Sequence, residues 1–470
     1  MLEELFHHIT RAAPADVRAD AHAHLTRLSP VPDGEPQQLH LALGATDNEL
    51  TLTWLTSAPC ANSTVHAFNR SWRARTTTYD VPPRWWQPTE RPSIHSATIR
   101  GVGPRELFEY TVGSSSAGCS RLPPVVARAP PARGTLPVRV GLLADVGSIE
   151  VLGFETWSTL AGAIDTLDAA VHAGDVSYAG MDTAIPFLNV TKDDEFEPLW
   201  DVYGRTHANF TSRRAYQVGI GNHEAWYNYT SVRHRYPMAH QGAAAANPPF
   251  WFAFALGGLH FTMLSSEHDY SAGSAQRAFA EATLLGGGIN RSRTPWSVVA
   301  FHRPMYSSDA GAYTAHSPGC ELQVELEALL LAAKVDLVLT GHQHGYERIH
   351  PVRNGTVTDM PARTTAAGDD VYEAPRAPVH LMAGHGGAAQ EEQWVAPRPV
   401  WSARRMSQGC DHTAPQKACG TPYRYTDTFG YVVAEAMNAT HARFATAMVS
   451  GRLGDAFWNV RQQAAGPSPP

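Results

Sequence analysis

The chain repeats one pattern that few folds can satisfy: short apolar runs that each stop at a cluster of polar residues. "VRVGLLAD", "AAVHAGD", "AYQVGIGNHE", "HFTMLSSEHD", "WSVVAFHRP", "VDLVLTGHQH" and "PVHLMAGHGG" follow one another between residues 138 and 387. Runs this short and this apolar read as strands buried on both faces. Helical stretches lie between some of them, such as "FETWSTLAGAIDTLDAA" and "CELQVELEALLLAAKV". Strands alternating with helices predict an α/β layered domain, with functional groups gathered at the carboxyl ends of the strands.

A different rhythm precedes it. From Gln37 to about Ala117 the pattern has period two ("LHLAL", "LTLTWLTS", "HSATIR", "FEYTVG"), with turn residues between the runs. This predicts an all-β sandwich of immunoglobulin or fibronectin size over 36–117. The Pro-rich "RLPPVVARAPPARGTLP" predicts a stiff linker within 118–135, and the α/β domain then spans 136–465. Residues 1–35 are expected to be a tail or entry helix. Segments 361–376 and 388–424, rich in Ala, Pro, Gly and Arg, read as surface insertions, after which "FGYVVAEAMNATHARFATAMV" returns to the sheet.

Charge narrows the partners. The net charge is −7 and no segment is strongly basic, so nucleic acid is not expected. No apolar run has the length of a membrane span. The opening "MLEELFHHITRAAPADVRAD" lacks the basic flank and apolar stretch of a leader. Yet Asn-x-Ser/Thr occurs at Asn62, Asn69, Asn189, Asn209, Asn228, Asn290, Asn354 and Asn438, where about two would arise by chance. The surplus predicts a glycoprotein of the secretory route, secreted or of vacuolar or lysosomal type, with its leader missing from this chain. Of the five cysteines, Cys60, Cys119, Cys410 and Cys419 would make two disulfides and leave Cys320 over. Five thiols are the alternative.

The polar clusters hold the chemistry. In chain order they supply Asp145 ("ADVG"), Asp175 and Tyr178 ("AGDVSY"), Asn222, His223 and Glu224 ("GNHE"), His302 ("VAFH"), and His342 and His344 ("GHQH"). Any one could be a turn with a core histidine. Together they offer too many oxygen and nitrogen donors for one tetrahedral zinc. They suit two ions sharing a carboxylate, the arrangement that serves displacement at phosphorus.

This series resembles the metallophosphoesterases and, within them, the purple acid phosphatases. The superfamily's first motif is Asp-x-His; here Gly147 stands in the third place, and Tyr178 appears in a Gly-Asp-x-x-Tyr pattern. A phenolate suits Fe(III) better than zinc. "PQQLHLALGATDNELTLTWLTS" and "LFEYTVGS" are similar to the N-terminal fibronectin-like domain of the family's large plant-type members. "SSEHDYSAGSAQRAF", "RTPWSVVAFHRPMY", "GYER" and "DAFWNV" are also familial.

The resemblance implies that Asp145, Tyr178 and His344 bind Fe(III). Asn222, His302 and His342 would bind a divalent ion (zinc, iron or manganese), and Asp175 would bridge the two. Hydroxide generated by the pair would attack the phosphorus of a small phosphate monoester. His223 would protonate the leaving alkoxide, with Glu224 orienting it. One departure concerns phosphate recognition. The plant-type histidines just after the His302 motif are absent from "RPMYSSDAGAYTAHSPGCE", which leaves His316 and Arg303 as candidates. The alternatives are a phosphodiesterase or pyrophosphatase using the same site, or a binding glycoprotein with a relic metal site. Cys320 could cross-link a homodimer, as a cysteine does in some family members.

Overall fold

A computed structural model of the chain describes residues 32–80, 92–147, 152–180, 197–310, 319–390, 393–413, 418–419 and 425–462. The expected tail before residue 32, His316 and Asn189 lie outside the described residues.

The apolar runs are strands, and each begins and ends close to the expected place. In the first layer β4 (Val138–Leu143), β5 (Ala169–Ala173) and β6 (Ala215–Gly219) are parallel neighbours. In the second layer β7 (Leu259–Met263), β8 (Trp296–Ala300), β9 (Leu337–Thr340) and β11 (Val379–Ala383) run parallel in that order. All of these strands but β4 are buried along their whole length; β4 has one half-buried residue, Arg139. That burial explains why their sequences run apolar instead of alternating. The intervening β10 (Tyr346–Ile349) returns antiparallel to β11.

Helices cover the outer faces. α1 (Gly153–Gly162) and α2 (Pro198–Thr211) lie on the first layer, where Trp157 packs edge-on to Tyr216 of β6, with ring centroids 5.2 Å apart. α3 (Ala275–Leu284) and α4 (Gly319–Ala332) cover the second, burying Phe279, Leu322, Leu326 and Leu330 against Val299 and Val338. Ser274 caps α3 by accepting the Arg277 N–H at 3.1 Å. The C-terminal strands β12 (Gly430–Ala436), β13 (His441–Met448) and β14 (Ala456–Val460) extend the first sheet beyond β4, as the sequence predicts.

The N-terminal region is all strand. β1 (Gln37–Leu43), β2 (Glu49–Thr56) and β3 (Ser93–Arg100) are antiparallel neighbours, and a second small sheet joins 64–67, 70–73, 107–113 and 125–128. Two details differ from expectation. Val125–Arg128, inside the expected linker, is a strand bonded to Leu107–Gly113, because "VVAR" alternates and finds a free sheet edge. Within the expected insertions, Asp370–Glu373 pairs with β14 and Ser402–Ser407 pairs with β10, so both segments contribute to the sheets.

Candidate metal centre

Five polar clusters meet where the two layers face one another, just beyond the carboxyl ends of β4, β5, β6, β8 and β9. Each donor lies two to five residues past its strand, where the chain turns. The turns are tight. Asp145, Asp175, Tyr178 and His342 all have positive φ, between 52° and 73°. Residues with a Cβ avoid this region, and each such position costs of order 1–3 kcal/mol. Four of them at one spot show that the surrounding structure imposes the geometry. Two glycines allow the approach: a Cβ on Gly221 would stand 2.2 Å from Asp175 Oδ1, and one on Gly341 would stand 2.1 Å from Asp145 Oδ2.

The donors form two touching groups. In one, Tyr178 Oη lies 3.1 Å from Asp145 Oδ1 and 2.9 Å from His344 Nε2. In the other, His302 Nε2 lies 3.0 Å from Asp175 Oδ2 and 3.2 Å from Asn222 Oδ1. One ligand atom from each of Asp175, His302 and His342 falls within 4.8 Å of the others, a spacing that can hold an ion. The groups adjoin through Asp145 Oδ1, which is 3.9 Å from His302 Nε2. Phenol, carboxylate, imidazole and amide donors packed this closely, with far more than four ligand atoms, fit a pair of ions and not a single tetrahedral one.

Backbone contacts fix the rings. His302 Nδ1 donates to Ala173 O at 3.0 Å and His344 Nδ1 to Ala389 O at 2.8 Å, so each presents Nε2 to the centre. Asp145 Oδ2 accepts the His342 N–H at 2.8 Å, which ties the first motif to the last.

Electrostatics follow from burial and crowding. Burial raises the Asp145 carboxyl to about 6, with His302 pulling it partway back. Burial opposes the charge on Asp175 too, but His302 and His223 outweigh it and hold its pKa well below the usual range. For His302 the order is reversed: burial lowers the pKa, and Asp175 and Asp145 overcome it and raise it to about 9. Burial, then His302 and Arg303, push His342 well below 6.5. Without an ion, Asp175 and Asp145 thus favour the protonated form of His302.

His223 stands beside this centre. Its Nδ1 donates to Gly180 O at 2.7 Å, and Nε2 lies 3.9 Å from Asp175 Oδ2. Its ring rests on Tyr178, with centroids 4.5 Å apart, and stacks on Trp226 at 5.9 Å. Glu224 does not orient it. The Glu224 carboxylate instead accepts the backbone N–H groups of Asp175, Val176 and Gly221 at 2.8–2.9 Å. Burial, with Asp175 adding to it, raises the Glu224 pKa to about 7. Glu224 thus builds the turns that carry Asp175 and Asn222. Arg303 is also occupied: Glu267 takes its Nε and Nη2 at 2.8 and 3.0 Å. The sequence reading missed that partner, although "SSEHD" was among the familial stretches and ends a buried strand. His385 and Tyr346 are wholly buried and packed edge to face against each other.

Comparison with known proteins agrees with this geometry. Residues 138–346 match the calcineurin-like phosphoesterase family, and residues 377–455 match the C-terminal family of iron/zinc purple acid phosphatase-like proteins. Purple acid phosphatase 18 of Arabidopsis thaliana is 28% identical over 87% of this chain and 80% of its own. Acid phosphatase type 7 of Homo sapiens is 26% identical over 92% of both. A purple acid phosphatase from seeds of yellow lupin (Lupinus luteus) has the same fold, with a TM-score of 0.74 and 21% identity over 91% of this chain and 75% of that one. With both halves of the catalytic region matched and relatives aligned over most of its length, the chain belongs to the purple acid phosphatase family of metallophosphoesterases and is an acid phosphatase of that kind.

Proposed function

We propose that this chain hydrolyses phosphate monoesters at an Fe(III)–divalent pair. Asp145, Tyr178 and His344 would hold the iron, and Asn222, His302 and His342 the divalent ion, with Asp175 shared. The observation that carries this is the split of the donors: the phenol sits with Asp145 and His344, the amide with His302 and Asp175. The hard anionic phenolate matches a trivalent ion, and the neutral amide a divalent one. When bound, such a pair supplies Lewis-acid activation of water and neutralises charge at phosphorus.

The protein's own part is positioning and proton transfer. Gly180 O holds one proton on Nδ1 of His223, so Nε2 is the nitrogen that faces the centre, and in the doubly protonated ring it would give its own proton to the leaving alkoxide and leave the ring neutral. Tyr178 and Trp226 hold the ring from two sides. Residues 36–117, with the strand Val125–Arg128 that completes their smaller sheet, serve in this reading as a fibronectin-like unit ahead of the catalytic region 136–465. The seven sequon asparagines among the described residues are all exposed, and Cys60 and Cys119 are joined in a disulfide. Both support a secretory glycoprotein.

The test compares nitrophenyl monoester and diester substrates on one preparation with its metals quantified. Monoester turnover should dominate. Dominant diester turnover would move the substrate assignment, and absence of stoichiometric iron would favour the binding glycoprotein.

A further inference from the structure

His342 is anchored differently from its two companions. His302 and His344 give Nδ1 to a backbone carbonyl. His342 has its Nε2 3.1 Å from Nη1 of Arg303. A guanidinium only donates, so Nε2 accepts and Nδ1 is the nitrogen left for an ion. Arg303 is itself locked. Glu267 receives it through two parallel bonds at 2.8 and 3.0 Å, and Ser266 Oγ accepts its backbone N–H at 2.9 Å. Ser266 Oγ also donates to Glu267 Oε1 at 3.0 Å. Arg303 and Glu267 side chains are 13% and 10% exposed, so water competes little with the fork.

The geometry points to Arg303 and Glu267 as a clamp that positions His342, and not to Arg303 as a phosphate contact. Arg303 follows His302 in the chain and touches His342 in space, so it ties together two candidate ligands of the divalent half. Glu267 also neutralises a fixed positive charge that would otherwise face that ion. The inference rests on the ligand reading above, and its test separates the two.

The test uses the metal-loaded full chain and a chromophoric chelator. Divalent-ion release is followed in time, and the visible colour of the iron site is recorded beside it. Glu267→Gln and Arg303→Leu should each speed divalent release about 10–100-fold and leave the iron colour unchanged. Arg303→Lys, which can still donate to His342 but cannot fork with Glu267, should fall between. Glu267→Gln in the Arg303→Leu background should add little. Retained iron colour shows that each variant is folded. The clamp is refuted if release matches wild type, or if the variants only weaken inhibition by inorganic phosphate. If His342→Ala keeps its divalent ion as wild type does, the ligand reading itself fails.

Discussion

His302 Nε2 lies 3.0 Å from Asp175 Oδ2, both groups are buried, and the contact favours a proton where the ligand reading puts an ion. Ion and proton therefore compete for one nitrogen. The His302 pKa of about 9 exceeds the 6.5 of an ordinary histidine. Divalent binding to ion-free protein at pH 7 should release about one proton at His302, and affinity should rise with pH until about pH 9. Calorimetric titration with zinc in buffers of different ionisation heat measures that proton. The same raised pKa adds stability to the ion-free protein below about pH 6.5, and this is lost as pH rises through about 9.

Tyr178 Oη touches both Asp145 and His344. A tyrosinate on Fe(III) absorbs visible light by charge transfer. Tyr178→Phe should abolish the colour and retain the divalent ion, as read by absorption spectroscopy and metal analysis of the same sample. A colour that survives the change would assign the iron elsewhere.

Glu224 supports turns, its carboxylate taken up by three backbone N–H groups. Glu224→Ala would leave three backbone amides without their acceptor, at Asp175, Val176 and Gly221. A loss of about 2–5 kcal/mol is expected, seen as a lower denaturant midpoint together with weaker metal retention. A variant with full stability and reduced turnover would restore a direct catalytic role.

His223 can be separated from the metal ligands. His223→Asn should lower kcat about 10²–10⁴-fold on esters with poor leaving groups. The loss should be far smaller on nitrophenyl esters, whose leaving group needs no proton. Metal content should stay unchanged. Equal losses on both substrates would remove the general-acid assignment.

Glycan removal tests the route of synthesis. Exposed asparagines such as Asn62, Asn290 and Asn438 should carry glycans in protein from a eukaryotic secretory host. Endoglycosidase treatment followed by mass spectrometry would show the shift. An unmodified mass would contradict the secretory reading.

Much of this site was legible because strand ends and ligands coincide in the chain. "LLAD", "AGD", "GIGNH", "AFH" and "TGHQH" each place a donor at the stop of an apolar run, and the structure brings these donors together. What the sequence hid was pairing across long separations. Arg303 and Glu267 are 36 positions apart, and the carboxylate of Glu224 reaches 49 positions back to Asp175. Periodicity carries no information about such contacts. The same limit explains why "VVAR" read as linker: whether a short alternating run becomes a strand depends on a free edge, here that of Leu107–Gly113, which only the fold supplies.

The central claim is that Asp175 holds two different cations side by side. Anomalous diffraction at the iron and zinc edges, from one crystal of metal-loaded protein, tests it most directly. The account predicts iron among Asp145, Tyr178 and His344, zinc among Asn222, His302 and His342, and the Asp175 carboxylate on both. A single ion, or two ions that Asp175 does not join, would contradict it.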